Sequence, residues 1–198
     1  MMNQSEQYDG GFLLKDLNLR KIHVPGDGHC FFHSLMLGAV DYYINNPSKR
    51  NELVVSFRKR VANYLLETDD SGKSVYDKLS RGYLKEYAKN VSESKFEPDF
   101  YSLNNLKNLL NSNSYVGLEV AEVVSLFLDV NIIIWDDIKK DIYRHGDKDL
   151  LFFSENSTIV LIYNGINHYD LMGLQFNNEI YTHFTSENSL IIQLNKIW

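Results

Sequence analysis

The residues of this sequence that could do chemistry are concentrated in one short stretch, HVPGDGHCFFHSL, at positions 23–35. It holds the only cysteine of the chain, Cys30, together with His23, His29 and His33. A metal site is one interpretation, but structural zinc sites usually combine several cysteines in tetrahedral geometry. Because His29 and Cys30 are adjacent and no CxxC or HExxH pattern occurs, we expect no metal and no other cofactor. We interpret His29 as a loop side chain and His23 and His33 as structural residues.

Cys30 falls at the predicted start of a helix. VPGDG is a Pro/Gly turn that cannot continue a helix, whereas CFFHSLMLGAVDYYI has helical apolar spacing. The unpaired N–H groups and the positive dipole end of a helix start favour a thiolate and can hold an oxyanion. Gly26 and Gly28 would let a substrate carbonyl approach the backbone. An inert core cysteine is the alternative, because most free cysteines are buried.

A cysteine nucleophile needs a base, and His168 is the best candidate among the six histidines. In TIVLIYNGINHYDLMGL an apolar strand ends in an Asn/Gly turn, and a second strand begins at His168. Residues i and i+2 of a strand point to the same face, so Asp170 projects beside His168. A carboxylate next to an imidazole fixes its tautomer and stabilises the imidazolium. The pattern indicates a cysteine nucleophile with a histidine base.

The two motifs together resemble those of the ovarian tumour (OTU) deubiquitinases, a family of papain-like cysteine proteases. GDGHCFFHS is similar to the family's Asp-Gly-x-Cys turn, and NHYDL to its late His followed by an aromatic residue. YVGLEVAEVVSLFLDVNIIIW resembles the Gly-x-Glu helix and the strand between them. The resemblance spans roughly residues 21–172, and residues 70–113 and 173–198 have no match. The family more often has Arg where this chain has His33.

The resemblance implies roles for individual residues. Cys30 would be the nucleophile, His168 the general base and Asp170 the orienting acid. The backbone of Asp27 would form an oxyanion hole together with the amide of Cys30. The implied activity is that of a deubiquitinase, which hydrolyses bonds at the C-terminal glycine of ubiquitin or a ubiquitin-like modifier. The implied partner is ubiquitin or a polyubiquitin chain.

A narrow substrate channel is expected because the tail of ubiquitin is rich in glycine. We assign Tyr115, Gly117 and Tyr169 to its walls, although core packing explains these aromatic residues equally well. Two alternative functions stay open. One is a catalytically inactive module that binds ubiquitin, and the other is a papain-like cysteine hydrolase of another amide.

Composition limits the class of protein. A chain of 198 residues with 44% hydrophobic and 23% charged residues predicts one catalytic domain over residues 1–198. A net charge of −6 argues against a nucleic-acid partner. A single cysteine excludes an intramolecular disulfide, and neither an export signal nor an apolar run of about 20 residues is visible. We expect a cytosolic monomer without a membrane segment; as a bacterial or viral effector, it would reach a host cytosol by a route other than Sec.

Helices are expected to position the first motif. SKRNELVVSFRKRVANYLLETDD, at 48–70, begins with Ser48 as a possible N-cap and carries an apolar stripe at helical spacing. Arg58, Lys59 and Arg60 are assigned to its solvated face. Further helices are predicted at 74–89, 98–110 and 118–128.

Strands are expected to position the second motif. After Asp129, six short β-branched and aromatic runs predict strands. Helices followed by strands predict an α+β domain, and the resemblance implies an OTU-type, papain-like fold with a central, mostly antiparallel sheet flanked by helices. Residues 173–198 are expected to extend that sheet. The predicted strands are 131–137, 141–145, 150–154, 157–164, 168–172 and 179–184.

Overall fold

The centre of the molecule is a mixed β-sheet. A computed structural model describes residues 4–93, 101–145 and 156–197, and this part of the chain forms seven strands. Their order across the sheet is β1-β2-β6-β5-β3-β4, and β7 pairs with the end of β6. Only the β3–β5 pair is parallel among these strands. The strands are β1 (Ser5–Gln7), β2 (Leu19–Ile22), β3 (Asn131–Asp136), β4 (Asp141–His145), β5 (Thr158–Tyr163), β6 (Tyr169–Phe176) and β7 (Glu179–Tyr181).

Helices flank the sheet, so the predicted α+β class with a mostly antiparallel sheet is confirmed. No helix among the described residues is long and apolar enough to cross a membrane. Short 3-10 turns lie at Phe12–Leu14, Pro47–Lys49 and Leu79–Gly82. The α-helices are α1 (Cys30–Ala39), α2 (Asp41–Asn45), α3 (Arg50–Tyr64), α4 (Val75–Lys78), α5 (Tyr83–Glu93), α6 (Leu103–Asn111), α7 (Leu118–Leu128) and α8 (Ser189–Asn195).

Both faces of the sheet are covered. In β3, Ile132 and Ile134 pack under the helical layer that contains α1, α3, α6 and α7. Ile133 and Trp135 point to the opposite face, where α8 and the 3-10 turn at Phe12–Leu14 cover them. Successive strand residues point to opposite faces. A strand that is buried on both faces therefore has a continuous apolar sequence, as NIIIW does in β3.

Helix α1, which begins with Cys30, packs closely on the sheet. Phe31 and Phe32 are almost completely buried, and each contributes about 1.5–3 kcal/mol of hydrophobic stabilisation. A Cβ at Gly38 would lie 3.0 Å from Ile159 Cγ2, so a small residue is needed where the helix crosses β5. The hydroxyl of Ser34 donates to the carbonyl oxygen of Tyr169 at 3.1 Å. This hydrogen bond connects α1 to the start of β6.

The helix predictions are correct in type and differ at their ends. The prediction at 118–128 matches α7, but 48–70 contains α3 over only Arg50–Tyr64. Ser48 lies inside a 3-10 turn, so its prediction as the N-cap was wrong; Lys49 occupies that position. The stretch 74–89 divides into α4 and α5, separated by a 3-10 turn with left-handed residues. Helix α6 begins after Ser102, which caps it, and residues 98–100 lie outside the described residues.

The order of helices first and strands afterwards was wrong at the beginning of the chain. Strands β1 and β2 precede every α-helix of the described residues, and β2 pairs with β6 through Leu19↔Leu174 and Ile22↔Leu171. Both strands are short, so partners more than a hundred residues away define them. Residues 173–198 contribute the end of β6, strand β7 and then helix α8. The predicted strand 150–154 lies outside the described residues.

Candidate active site

Cys30 is the first residue of α1, as the turn and the helical spacing predicted. It follows the cysteine turn, which we define as residues 24–29. The carboxylate of Asp27 accepts a hydrogen bond from the N–H of His29 at 3.0 Å, which closes this turn. Gly28 has φ +85, and a Cβ there would lie 2.9 Å from the carbonyl oxygen of Asn113. Because Cys30 begins the helix, its N–H has no intrahelical acceptor and is available to an oxyanion.

His168 and Asp170 lie together on the other side of Cys30. His168 Nε2 donates to Asp170 Oδ1 at 3.1 Å, which leaves Nδ1 for the thiol. Hydrogen bonds to Asp170 and to Cys30 raise the pKa of His168 to about 10. The imidazolium is therefore favoured, as acyl transfer from a cysteine requires. The structure thus brings together the three residues that the sequence motifs pair.

Asp170 is the most strongly hydrogen-bonded member of this group. Its Oδ1 also accepts from the backbone N–H of Val24 at 3.1 Å, and its Oδ2 lies 3.5 Å from His23 Nδ1. Burial acts to raise the pKa of Asp170, but the hydrogen bonds from His168 and Val24 outweigh it and lower the pKa. The carboxylate therefore stays ionised and joins the end of β2 to the start of β6. His23, interpreted as structural, contacts the orienting acid directly.

A local turn presents His168. The side-chain oxygen of Asn164 accepts from the N–H groups of Ile166, Asn167 and His168 at 3.0, 2.9 and 2.9 Å. The N–H of Asn164 donates back to the carbonyl oxygen of His168 at 3.0 Å. Asn side chains commonly stabilise turns in this way. We call residues 164–168 the histidine turn.

A chain of polar side chains, with His33 and Tyr43 buried, supports the cysteine turn from below. Asp27 Oδ2 lies 3.1 Å from His33 Nε2, and His33 Nδ1 bonds the hydroxyl of Tyr43. Burial acts to raise the pKa of Asp27, but the hydrogen bonds from His29 and His33 lower it overall. His33 is structural, as expected. The side chain of Asp27 therefore shapes the turn, in addition to the backbone role that the resemblance implies.

One residue that we assigned to solvent is buried: Arg58 is 1% exposed, so its solvated-face assignment is wrong. His29 lies in the loop that precedes α1, as predicted, but it is only 7% exposed. Lys59 and Arg60 are exposed as predicted. Arg58 was detectable in the sequence, because it lies four residues after Val54 and three before Val61 on the buried face of α3. Its guanidinium hydrogen-bonds the ring of His29, a contact that the spacing of the residues does not reveal.

A cleft of about 400 Å³ opens over Cys30. Tyr115 forms part of its wall, and its contact with a substrate stays a prediction. Tyr169 is 2% exposed and stacks against Tyr115 at 5.9 Å between ring centroids, one layer behind the cleft. Gly117 lies against Tyr169, where a Cβ would be 2.3 Å from the tyrosine hydroxyl. The described residues that line the cleft are Gly26, Gly28, Cys30, Tyr115, Asn167 and His168.

The arrangement supports nucleophilic acyl transfer. A thiol is paired with an oriented imidazole, and a helix start supplies at least one N–H donor for a developing oxyanion. Within residues 4–93, 101–145 and 156–197, no group of three or more His, Cys, Asp or Glu side chains is placed to hold a metal ion.

Comparison with known proteins identifies the fold. No protein-family model and no curated protein matches the sequence. A solved structure of an ovarian tumour (OTU) domain in complex with ubiquitin matches with a TM-score of 0.57 and 18% identity, over 90% of this chain and 81% of that chain. This chain has the OTU fold. The predicted OTU-type fold is therefore confirmed.

Viral OTU domains are also similar. The Hazara virus OTU bound to ubiquitin matches with a TM-score of 0.49 and 19% identity, over 88% of this chain and 89% of that chain. At 18–19% sequence identity, similarity to these OTU domains establishes only the fold of this chain. Ubiquitin is the ligand of those proteins, and any role for it here must rest on the site of this chain.

Proposed function

We propose that the protein is a deubiquitinase of the OTU family, which hydrolyses isopeptide or peptide bonds at the C-terminal glycine of ubiquitin or a ubiquitin-like modifier. The observation that carries this proposal is that Cys30 and His168 line one cleft in the OTU fold, with His168 hydrogen-bonded to Asp170 at 3.1 Å. The complex of a similar OTU domain with ubiquitin supports the choice of substrate.

The reaction begins with Cys30. Its thiolate, paired with the His168 imidazolium, attacks the carbonyl carbon of the scissile bond and forms a tetrahedral oxyanion. The N–H of Cys30 and the backbone at Asp27 donate to that oxyanion, and one such donor supplies about 3 kcal/mol. His168 Nδ1 then gives its proton to the leaving lysine amine as the carbon–nitrogen bond breaks.

The second half of the reaction releases the modifier. Neutral His168 takes a proton from water, and the resulting hydroxide attacks the thioester carbon. The carbon–sulfur bond breaks, and the thiolate of Cys30 is restored beside the imidazolium. Asp170 keeps the imidazole oriented throughout, because Nε2 remains bonded to its carboxylate.

The proposal includes a compartment. A lone cysteine that must remain a thiol suits a reducing environment, so we place the activity in the cytosol. For a bacterial or viral effector this would be the cytosol of a host cell. Ubiquitin or its chains are the proposed partners, and the protein acts as a monomer.

A ubiquitin derivative with a C-terminal electrophile tests the function. We expect the wild-type protein to form a covalent adduct at Cys30, measured by intact-protein and peptide mass spectrometry. The same electrophile without ubiquitin is the control for general thiol reactivity. Binding of ubiquitin without an adduct would instead indicate an inactive binding module. If the protein neither binds ubiquitin nor forms the adduct, the proposal is overturned in favour of a hydrolase of another amide.

A further inference from the structure

Arg58 donates hydrogen bonds to acceptors in the cysteine turn, at the end of α6 and in the loop that follows α6. Its Nη1 donates to His29 Nδ1 at 2.8 Å. Its Nε donates to the carbonyl oxygen of Leu110 at 3.3 Å. Its Nη2 donates to the carbonyl oxygens of Leu109 and Ser114 at 2.5 and 2.9 Å. One buried cation therefore satisfies four acceptors that come from two separate segments.

Each of these two segments continues into a wall of the cleft: the cysteine turn contributes Gly26 and Gly28, and the segment from the end of α6 contributes Tyr115. His29 ends the cysteine turn and directly precedes Cys30. Ser114 belongs to the tyrosine loop, which we define as residues 112–117, and directly precedes Tyr115. The walls also touch at Gly28, where a Cβ would lie 2.9 Å from the carbonyl oxygen of Asn113. Arg58 thus hydrogen-bonds residues next to both walls.

We propose that Arg58 is a positioning residue, which sets the oxyanion-binding cysteine turn against the tyrosine loop through its hydrogen bond to neutral His29. The catalytic consequence rests on the proposed function, whereas the link between the two walls does not. The hydrogen bonds of Arg58 go to His29, Leu109, Leu110 and Ser114, none of which lines the cleft. It acts through His29 and through the loop carbonyls.

The chemistry of the pair explains why these two residue types are needed. A guanidinium can only donate, so His29 Nδ1 must be the unprotonated nitrogen of a neutral ring. Burial and the charge of Arg58 lower the pKa of His29, which keeps the ring neutral. The guanidinium also lies over the ring of Phe32, 4.8 Å from its centroid. A lysine would place one ammonium in this space and could not reach acceptors on both walls.

The experiment compares four single variants in the full chain. Arg58→Lys keeps the charge but loses the fork of donors, and Arg60→Lys is the matched control on the exposed side of α3. His29→Leu removes the acceptor, whereas His29→Asn retains a side-chain oxygen that can accept from Arg58. Thermal unfolding by circular dichroism first establishes that each variant is folded. Should Arg58→Lys fail to fold, the pair of His29 variants decides the question.

The first measurement is amide hydrogen exchange, which needs no substrate. We expect Arg58→Lys and His29→Leu to accelerate exchange in both the cysteine turn and the tyrosine loop. Arg60→Lys and His29→Asn should stay close to wild type. Faster exchange in neither wall, or in only one of them, would overturn the proposed link.

The second measurement is turnover of ubiquitin carrying a C-terminal fluorophore. We expect His29→Leu to lower kcat by about 10–100-fold with a change in KM below about threefold, because the oxyanion donors move while the binding surface stays. His29→Asn should recover most of kcat. A kcat for folded His29→Leu equal to wild type would overturn the positioning role. If the wild-type protein itself does not act on ubiquitin, the proposed function fails and hydrogen exchange still decides the link.

Discussion

The two halves of the proposed active site are built in different ways. His168 is presented by residues close to it in sequence, since Asn164 alone accepts three hydrogen bonds from the histidine turn. The cysteine turn is supported by side chains of three helices: His33 from α1, Tyr43 from α2 and Arg58 from α3. One half depends on a local turn, and the other depends on the packing of the helical layer.

Because of this difference, substitutions in the two halves should affect catalytic rate and fold stability to different degrees. The half with the base has few buried polar contacts beyond Asp170, so changes there should alter the rate more than the fold. The half with the nucleophile rests on a chain of buried hydrogen bonds, and a buried group that loses its partner costs about 1–3 kcal/mol. Substitutions beneath the cysteine turn should therefore lower stability as well as activity.

The largest effect is expected when the nucleophile is removed. Cys30→Ala should abolish turnover of ubiquitin chains, because no other thiol exists in the chain. The fold should persist, since alanine is smaller than cysteine and suits a helix start. Gel-based cleavage and thermal unfolding measure the two results. Turnover at the wild-type level would show that the two halves do not form one catalytic site.

The next effect concerns the roles within the histidine half. His168→Ala should lower kcat by about 10²–10⁴-fold, the range for loss of general acid–base catalysis. Asp170→Ala should cost less, because Asp170 orients the ring and transfers no proton. His183→Ala, at an exposed histidine away from the cleft, is the control. Equal and complete loss in both folded variants would contradict this ranking.

A pH profile examines the same half more finely. The pKa of His168 is raised to about 10, so the imidazolium persists into alkaline solution and is lost as the pH rises through that value. Asp170→Asn removes the largest cause of the increase, so the pKa of His168 should fall toward its ordinary value. We expect the alkaline limb of kcat/KM to move to lower pH in this variant. An unchanged alkaline limb would mean that Asp170 does not control the protonation of His168.

The smallest effect on rate is expected beneath the cysteine turn. Tyr43→Phe leaves His33 Nδ1 buried without its hydroxyl partner, so the free energy of unfolding should fall by about 1–3 kcal/mol. The adjacent Tyr42 is 54% exposed, and Tyr42→Phe is the matched control. Urea denaturation compares the two variants. Equal stability of Tyr43→Phe and the control would remove the distinction between the two halves.

Prediction from the sequence succeeded where the signal is local. A Pro/Gly turn followed by helical spacing placed Cys30 at the start of α1, and α7 begins and ends at the predicted residues. It failed at β1 and β2, because a strand of three or four residues is defined by its partners. It left Tyr169 undecided between the channel wall and the core, and the structure buries that residue.

The sequence by itself pointed to the residues that we propose as nucleophile, base and orienting acid. The turn before Cys30 and the two-residue period of a strand at His168 and Asp170 are properties of the chain within a few residues. Only the tertiary structure decided which polar groups are buried and which groups they hydrogen-bond. A charged side chain such as Arg58 leaves water only if distant acceptors compensate the loss of hydration, and those acceptors meet only when α3, α6 and the cysteine turn pack together.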